Sequence, residues 1–317
     1  MKKIANKNLL KFLNDQNIFY NDIYALKNDA STRNYYRGLE NKKSFLIMDS
    51  SHEKNSLVRF VKISKWLQNN SYSAPKIYSK NLANGYCALE DFGDLKFSKI
   101  KKSDLFEKYK LTIDLLLSLS FHNPPEYLKF YSKNIFIEEL NIFIDWFLYH
   151  SRKKNSLVIQ SWNMIWESYF KSTLNYKRKV LVLRDFHIDN LFWLNEREGI
   201  KKIGLIDFQD ALAGHPCYDL VSLLQDVRIN LSDKMQKTLY NYYIKKSTLD
   251  KKQFEESYYI FGTQRLIKII GVFYRLKYLY KKDSYMKYIP RTWLLLKENL
   301  KHPSLRLIKN WFDKYVF

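Results

Sequence analysis

Three side chains between Leu183 and Asp210 have the types and order of a phosphoryl-transfer site. Asp185 follows the apolar run Val180–Leu183, Asn190 stands five residues after it, and Asp207 closes the run Ile203–Ile206. Oxygen ligands at the mouths of short buried strands suit a hard cation such as Mg²⁺. One more carboxylate in such a cluster can take a proton from a hydroxyl. In this spacing Asp185 faces the acceptor, while Asn190 and Asp207 hold the metal. Each residue alone reads as a loop-capping Asp or Asn. All three in this order, on strand ends, favour the chemical reading.

Elements must hold these residues in place. Val180–Leu183, Leu191–Leu194 and Ile203–Ile206 are too short for helices and rich in β-branched and aromatic residues, so they read as strands. Upstream, residues 5–17 place Leu9, Leu10, Phe12 and Leu13 on one stripe of an amphipathic helix. Ile23–Leu26 and Ser44–Met48 are strand-like, an alternating segment lies between them, and Glu40–Lys43 reads as a hairpin turn. A helix over 53–69 ends at Asn69-Asn70, and two further extended pieces follow, Lys76–Ser79 and Tyr86–Leu89. From Ser103 the pattern is helical, stopped at Pro124-Pro125 and resumed over 135–150 and 155–175. After Gly214 and Pro216 it is helical again, over 232–246, 252–281, 283–299 and 304–315. The order implies a small α+β first lobe, residues 1–92, and a large helical second lobe, residues 93–317, with the catalytic stretch set inside the second. The joint falls at Glu90–Asp94.

At 317 residues with 46% hydrophobic content, the chain suits one two-lobed domain or two modest ones. Its net charge of +22 invites a nucleic-acid reading. The lysines, however, are spread along the chain, and no RNP, zinc-finger or helix-turn-helix signature accompanies them, so a specific nucleic-acid partner is not expected. Cys87 and Cys217 lie far apart and form no CxxC, which argues against a disulfide framework or zinc site and for a reducing cytoplasm. No apolar run reaches membrane-spanning length, and the first residues lack the apolar core and cleavage site of a signal peptide. Nothing in the sequence reports oligomeric state.

The segment Leu183–Leu191 resembles the catalytic loop of aminoglycoside phosphotransferase-like kinases, and Ile206–Ala211 occupies the place of their metal-binding Asp segment. The resemblance is nearer to one branch, the anomeric kinases of N-acetylmuramic acid and N-acetylglucosamine. Arg184-Asp185-Phe186-His187 with Asn190, then Ile206-Asp207-Phe208-Gln209-Asp210-Ala211, then Tyr218-Asp219-Leu220 with Ser222-Leu223-Leu224 carry it. It extends to Asp29-Ala30-Ser31 with Arg33, Tyr35 and Arg37, to Met48-Asp49, to Leu89–Asp94, and to Gln264-Arg265 with Lys268, Gly271, Phe273 and Arg275. It implies an α+β, bilobal protein-kinase-like fold, with one main helix on a small antiparallel sheet in the N-terminal lobe and a mostly helical C-terminal lobe. It also implies ATP as co-substrate, Mg²⁺ as cofactor and a small sugar as acceptor.

The same resemblance assigns roles. Asp185 accepts the sugar proton, and Asn190 and Asp207 hold Mg²⁺. Ala30, Ser31 and Thr32 take the place of a glycine-rich phosphate loop. Arg33 or Arg37 reaches the phosphates or an acid group of the sugar, or is an ordinary surface arginine. Glu90, Asp91 and Phe92 present backbone groups to adenine. Gln209, Asp210, Arg265 and Lys268 are candidates for the acceptor, against an equal case for Arg265 and Lys268 as solvated helix charges. Asp219 either caps the following helix or holds the catalytic loop from behind. One departure stands out: the strand that carries a phosphate-pairing lysine in protein kinases, here Ser44–Asp49, has none. The other readings are the same fold acting on choline, an aminoglycoside or another alcohol, or a nucleotide-binding pseudokinase.

Overall fold

A computed structural model describes residues 6–26, 33–173 and 178–317. In chain order the elements are α1 (Lys7–Asp15), β1 (Asp22–Ala25), β2 (Asn34–Glu40), β3 (Lys43–Asp49), α2 (Lys54–Asn69), β4 (Ile77–Asn81), β5 (Tyr86–Glu90), α3 (Leu105–Phe121) and α4 (Lys133–Ile142). They continue with α5 (Ser156–Thr173), β6 (Val180–Val182), β7 (Leu191–Trp193), β8 (Ile203–Leu205), β9 (Leu212–Gly214), α6 (Cys217–Leu224), α7 (Asp233–Lys246), α8 (Lys251–Tyr278), α9 (Ile289–Asn299) and α10 (Arg306–Tyr315). The chain forms two compact units. The first joins Met1–Leu105 to Ile188–Ala211, and the second joins Phe106–His187 to Leu212–Phe317.

The first unit is built on an antiparallel sheet in the order β1-β2-β3-β5-β4. The expected hairpin forms with Glu40 opposite Lys43. Asn41 and Lys42 both take positive φ, the geometry a two-residue turn needs to match the strand twist. Alternation sends Phe45 and Ile47 of β3, with Tyr86 and Ala88 of β5, to one face. There Leu9, Phe12 and Leu13 of α1 close the core, and Phe12 stacks on Tyr86 at 5.5 Å. β7 and β8 form a separate antiparallel pair in this unit, bridged to the rest through Lys96 opposite Phe192 and Ser73 beside Gly204. A Cβ at Gly204 would stand 2.9 Å from the Phe92 ring, so only glycine lets that ring lie on β8.

Among its described residues the second unit is built of helices apart from β6 and β9, which pair antiparallel. β9 was not expected from the sequence, whose strand readings end at Ile206. Three residues are too few to show an alternation. α8 is the central helix. Its residues Ile260–Ile267 are all buried, as a helix covered on every side must be, and it packs against α4, α6 and α9. α4 runs on into a π-helical turn, Phe143–Leu148, where the sequence pattern reads as plain helix. The reason lies in α8: a Cβ at Gly271 would come within 2.5 Å of Phe143 N and 2.6 Å of the Ile142 carbonyl. The two backbones touch there, and the extra residue in the turn accompanies that approach.

The stretch that carries Asp185, Asn190 and Asp207, expected within the second lobe, is divided between the units. Asp185 belongs to the second, while Asn190 and Asp207 belong to the first.

Candidate active site

In the first unit, hairpin pairing places the metal-type donors. Leu191 pairs with Leu205, and Ile206 N donates to Asn190 O at 3.2 Å, so Asn190 and Asp207 leave the hairpin side by side. Asn190 Nδ2 donates to Asp207 Oδ2 at 3.4 Å. Asp207 itself takes a positive φ of 60°, a strained conformation for a residue with a side chain. Its neighbours hold it there. Phe208 stacks on Phe60 of α2 at 4.9 Å. Arg59 of α2 donates to Gln209 O and pairs with Asp210, each at 3.1 Å. Arg33 immediately precedes β2: its Nη2 meets Asp207 Oδ1 at 2.6 Å, and its Nη1 donates to Gln209 Oε1 at 2.7 Å. Gln209 Nε2 in turn donates to Asp207 Oδ1 at 3.1 Å.

Among the described residues no three His, Cys, Asp or Glu side chains converge as a metal cage. Mg²⁺ does not need one. It is commonly bound through one or two carboxylates together with substrate phosphates and water. One carboxylate and one amide oxygen, Asp207 and Asn190, are a donor set of that kind.

In the second unit, the loop after β6 is gripped from behind. Asp219, at the start of α6, accepts from Leu183 N at 2.6 Å and Arg184 N at 3.0 Å. Burial pushes its carboxyl up to about 7, against the pull of those two donors and of Arg265. Arg184 takes a positive φ of 70°, and Asp185 beyond it is exposed. The Arg184 side chain turns inward to Glu139 of α4. Glu139 also accepts from Tyr131, from Gln264 Nε2 at 2.8 Å and from Lys268 Nζ at 3.0 Å. Burial alone would raise the Glu139 carboxyl, but Lys268, Arg184 and the hydrogen bonds from Tyr131 and Gln264 hold it down to about 2. Lys268 Nζ donates as well to Tyr218 OH at 3.2 Å.

Arg265 is the contrast. It is 3% exposed, and among the described residues its Nη1 has no hydrogen-bond partner. Of its acidic neighbours, Asp226 pairs with Arg228 at 3.1 Å, Asp219 is committed to the loop backbone, and Asp185 acts on it through its charge.

The sequence model of the phosphotransferase enzyme family matches residues 22–254. The chain belongs to this family. It is 30% identical to an N-acetylmuramate/N-acetylglucosamine kinase of Caulobacter vibrioides, over 92% of this chain and 91% of that one. A protein of the same name from Pseudomonas aeruginosa is 26% identical, over 85% and 81%. In fold, the chain is similar to the gentamicin complex of aminoglycoside phosphotransferase APH(2″)-IIa, with a TM-score of 0.65 at 16% identity over 97% of this chain and 99% of that one. It is also similar to ADP-bound APH(2″)-Ib, with a TM-score of 0.64 at 16% identity over 92% and 97%. The protein is therefore a phosphotransferase with the kinase-like α+β fold of this family.

Within this phosphotransferase the expected site residues are placed as follows. Ala30, Ser31 and Thr32 lie outside the described residues. Arg33 is bound to Asp207, whereas Arg37 points elsewhere, pairing with Asp91 at 2.6 Å and Asp94 at 3.1 Å. The Asp91 side chain is thus an anchor for β2. Glu90 is held by Arg197, whose guanidinium lies 5.2 Å over the Phe92 ring. Gln209 uses its amide on Asp207 and Arg33, and the Asp210 carboxylate accepts from Arg59 and Gln209, so in this structure both brace the Asp207 loop. Lys268 is neutralised by Glu139 and is no solvated helix charge. Arg265 is not one either.

Sequence reasoning missed Arg59 and Glu139. Arg59 lies on the expected helix 53–69 as one charge among several. Glu139 lies in a helix whose pattern shows no special acid. The only available signal was its place in an apolar stretch, since a carboxylate there needs cationic partners.

Proposed function

We propose that this phosphotransferase moves the γ-phosphoryl group of ATP to the anomeric hydroxyl of N-acetylmuramic acid or N-acetylglucosamine, in the cytoplasm, to recover cell-wall sugars. The observation that carries this reading is the near end-to-end similarity to the Caulobacter vibrioides kinase of that name. The buried, unpaired thiols of Cys87 and Cys217 are in keeping with a reducing compartment. No helix among the described residues is long and apolar enough to cross a membrane. Residues 1–92 are proposed as the nucleotide-binding lobe and 93–317 as the lobe that adds the acceptor side.

In this mechanism the sugar hydroxyl, a poor nucleophile, donates its hydrogen bond to Asp185. As its oxygen bonds to the γ-phosphorus, the bond from that phosphorus to the bridging oxygen of ADP breaks, and Asp185 takes the proton. The Asp219 grip on Leu183 N and Arg184 N, with Arg184 tied to Glu139, keeps the carboxylate aimed. Asn190 and Asp207 would hold Mg²⁺, which when bound supplies neutralising charge to the phosphates. Arg265 is the acceptor-side cation, available for an acid group on the sugar.

The test is a phosphorylation assay across amino sugars, aminoglycosides and choline with ATP, the product's phosphate position read by ³¹P NMR. Transfer to carbon 1 of an N-acetyl amino sugar is expected. Turnover of another alcohol with neither sugar turning over would end the reading. Asp185→Asn is expected to lower kcat by at least about 10²-fold, as loss of a general base does, with nucleotide binding retained. Unchanged turnover would remove Asp185 from its role.

A further inference from the structure

We infer that Arg33 is a charge placeholder on Asp207, so that the divalent metal enters only together with the nucleotide and not alone. The inference rests on the proposed use of a metal–nucleotide complex and concerns how that complex is admitted.

Both oxygens of Asp207 are already in use. Oδ1 receives Arg33 Nη2 at 2.6 Å and Gln209 Nε2 at 3.1 Å, and Oδ2 receives Asn190 Nδ2 at 3.4 Å. The Arg33 side chain is 8% exposed and that of Asp207 34%, so the pair is shielded on the arginine side. A buried guanidinium keeps its charge at any working pH and needs an anion beside it. A bare divalent cation arriving at Asp207 would therefore share one carboxylate with a fixed positive charge a few ångströms away, and the like charges repel.

A nucleotide changes that balance. Its phosphates bring several negative charges, and a guanidinium fork is suited to phosphate oxygens. Arg33 follows directly on Ala30-Ser31-Thr32, the segment the family resemblance assigns to phosphate, and residues Ser44–Asp49 of β3 offer no lysine. The arginine can then engage phosphate while Asp207 turns to the metal. In this arrangement Arg33 does the work of the absent lysine. It also guards the metal carboxylate when no nucleotide is present.

The experiment titrates the purified chain with Mn²⁺ and follows the free-ion signal by electron paramagnetic resonance, with and without a non-hydrolysable ATP analogue. The wild type is expected to take up Mn²⁺ only with the analogue. Arg33→Met is expected to bind Mn²⁺ without nucleotide about 10- to 100-fold more tightly than the wild type, the usual range of coupling between two sites. Arg33→Lys, which keeps the charge, is expected to behave like the wild type. Adding Asp207→Asn to Arg33→Met should abolish the gained site. Wild-type binding of Mn²⁺ alone, lost on Asp207→Asn, would overturn the inference, and so would no gain in Arg33→Met. Failure of the wild type to bind Mn²⁺ even with the analogue counts against the ATP reading, and the nucleotide-free arms still decide the role of Arg33.

Discussion

Glu139 shows how a single buried carboxylate can gather donors from several elements. It is buried among Arg184, Lys268, Tyr131 and Gln264, and they hold it down to about 2 from an ordinary value of 4.5. A carboxyl depressed on folding adds stability above its unfolded value, and that stability is lost as pH falls through the folded one. The window is therefore pH 4.5 down to about 2. The contribution at neutral pH is about 3 kcal/mol at 1.36 kcal/mol per pH unit. Glu139→Gln should cost on the order of 3–5 kcal/mol at pH 7, because it leaves two cations without their anion. It should also flatten the fall in denaturation midpoint within that acid window. A mutant curve parallel to the wild type's would show that Glu139 is not ionised in the fold. Arg265 makes the opposite case, a buried charge with an open donor. Arg265→Met should lower kcat/KM for N-acetylmuramic acid relative to N-acetylglucosamine by roughly 10- to 100-fold, the worth of one charge-assisted hydrogen bond. Equal losses on the two sugars would assign Arg265 to something both share. Folding should be kept, since an unsatisfied charge contributes little to stability.

At the scale of elements, close contacts join the pieces within each unit. The Phe60–Phe208 stack and Arg59 tie the Asp207 loop to α2, and the Gly271 contact lays α8 against α4. Gly271→Ala would drive a methyl into backbone that cannot move aside as a side-chain end can. It should cost roughly 3 kcal/mol, the upper end for overpacking, read as a lower denaturant midpoint at unchanged slope. A neutral effect would mean that the π-helical turn gives way freely. The elements themselves were largely legible in the sequence. α1, the β2–β3 hairpin, α2, and the strands β6, β7 and β8 follow from runs and periods that each report one local face. β9 was not legible, being three residues whose strand character comes from pairing with β6.

For the whole molecule, the net charge of +22 bears on what is attracted rather than on the fold. Nucleotide affinity should weaken as salt is raised. Binding to an arbitrary DNA duplex should fade between roughly 50 and 200 mM salt, as counterion-driven association does. Tight duplex binding above that range would reopen a nucleic-acid function. The partition into units is the larger finding at this scale. The chain leaves the second unit after His187 and returns to it at Leu212, so the metal-type donors and the nucleotide-side residues share one compact body. Asp185, Arg265 and Lys268 belong to the other.

The sequence by itself singled out the residues proposed to carry the chemistry. The order of Asp185, Asn190 and Asp207 on strand ends is local, and so are the short apolar runs that present them. Only the tertiary structure decided what those residues are held by. Arg33 meets Gln209 across 176 positions, and Gln264 meets Glu139 across 125. Periodicity reports which face of an element is buried, but not which distant side chain will be found there. For the same reason Lys268 and Arg265, three apart on one helix, looked alike in sequence. One is neutralised by Glu139, and the other keeps a donor open.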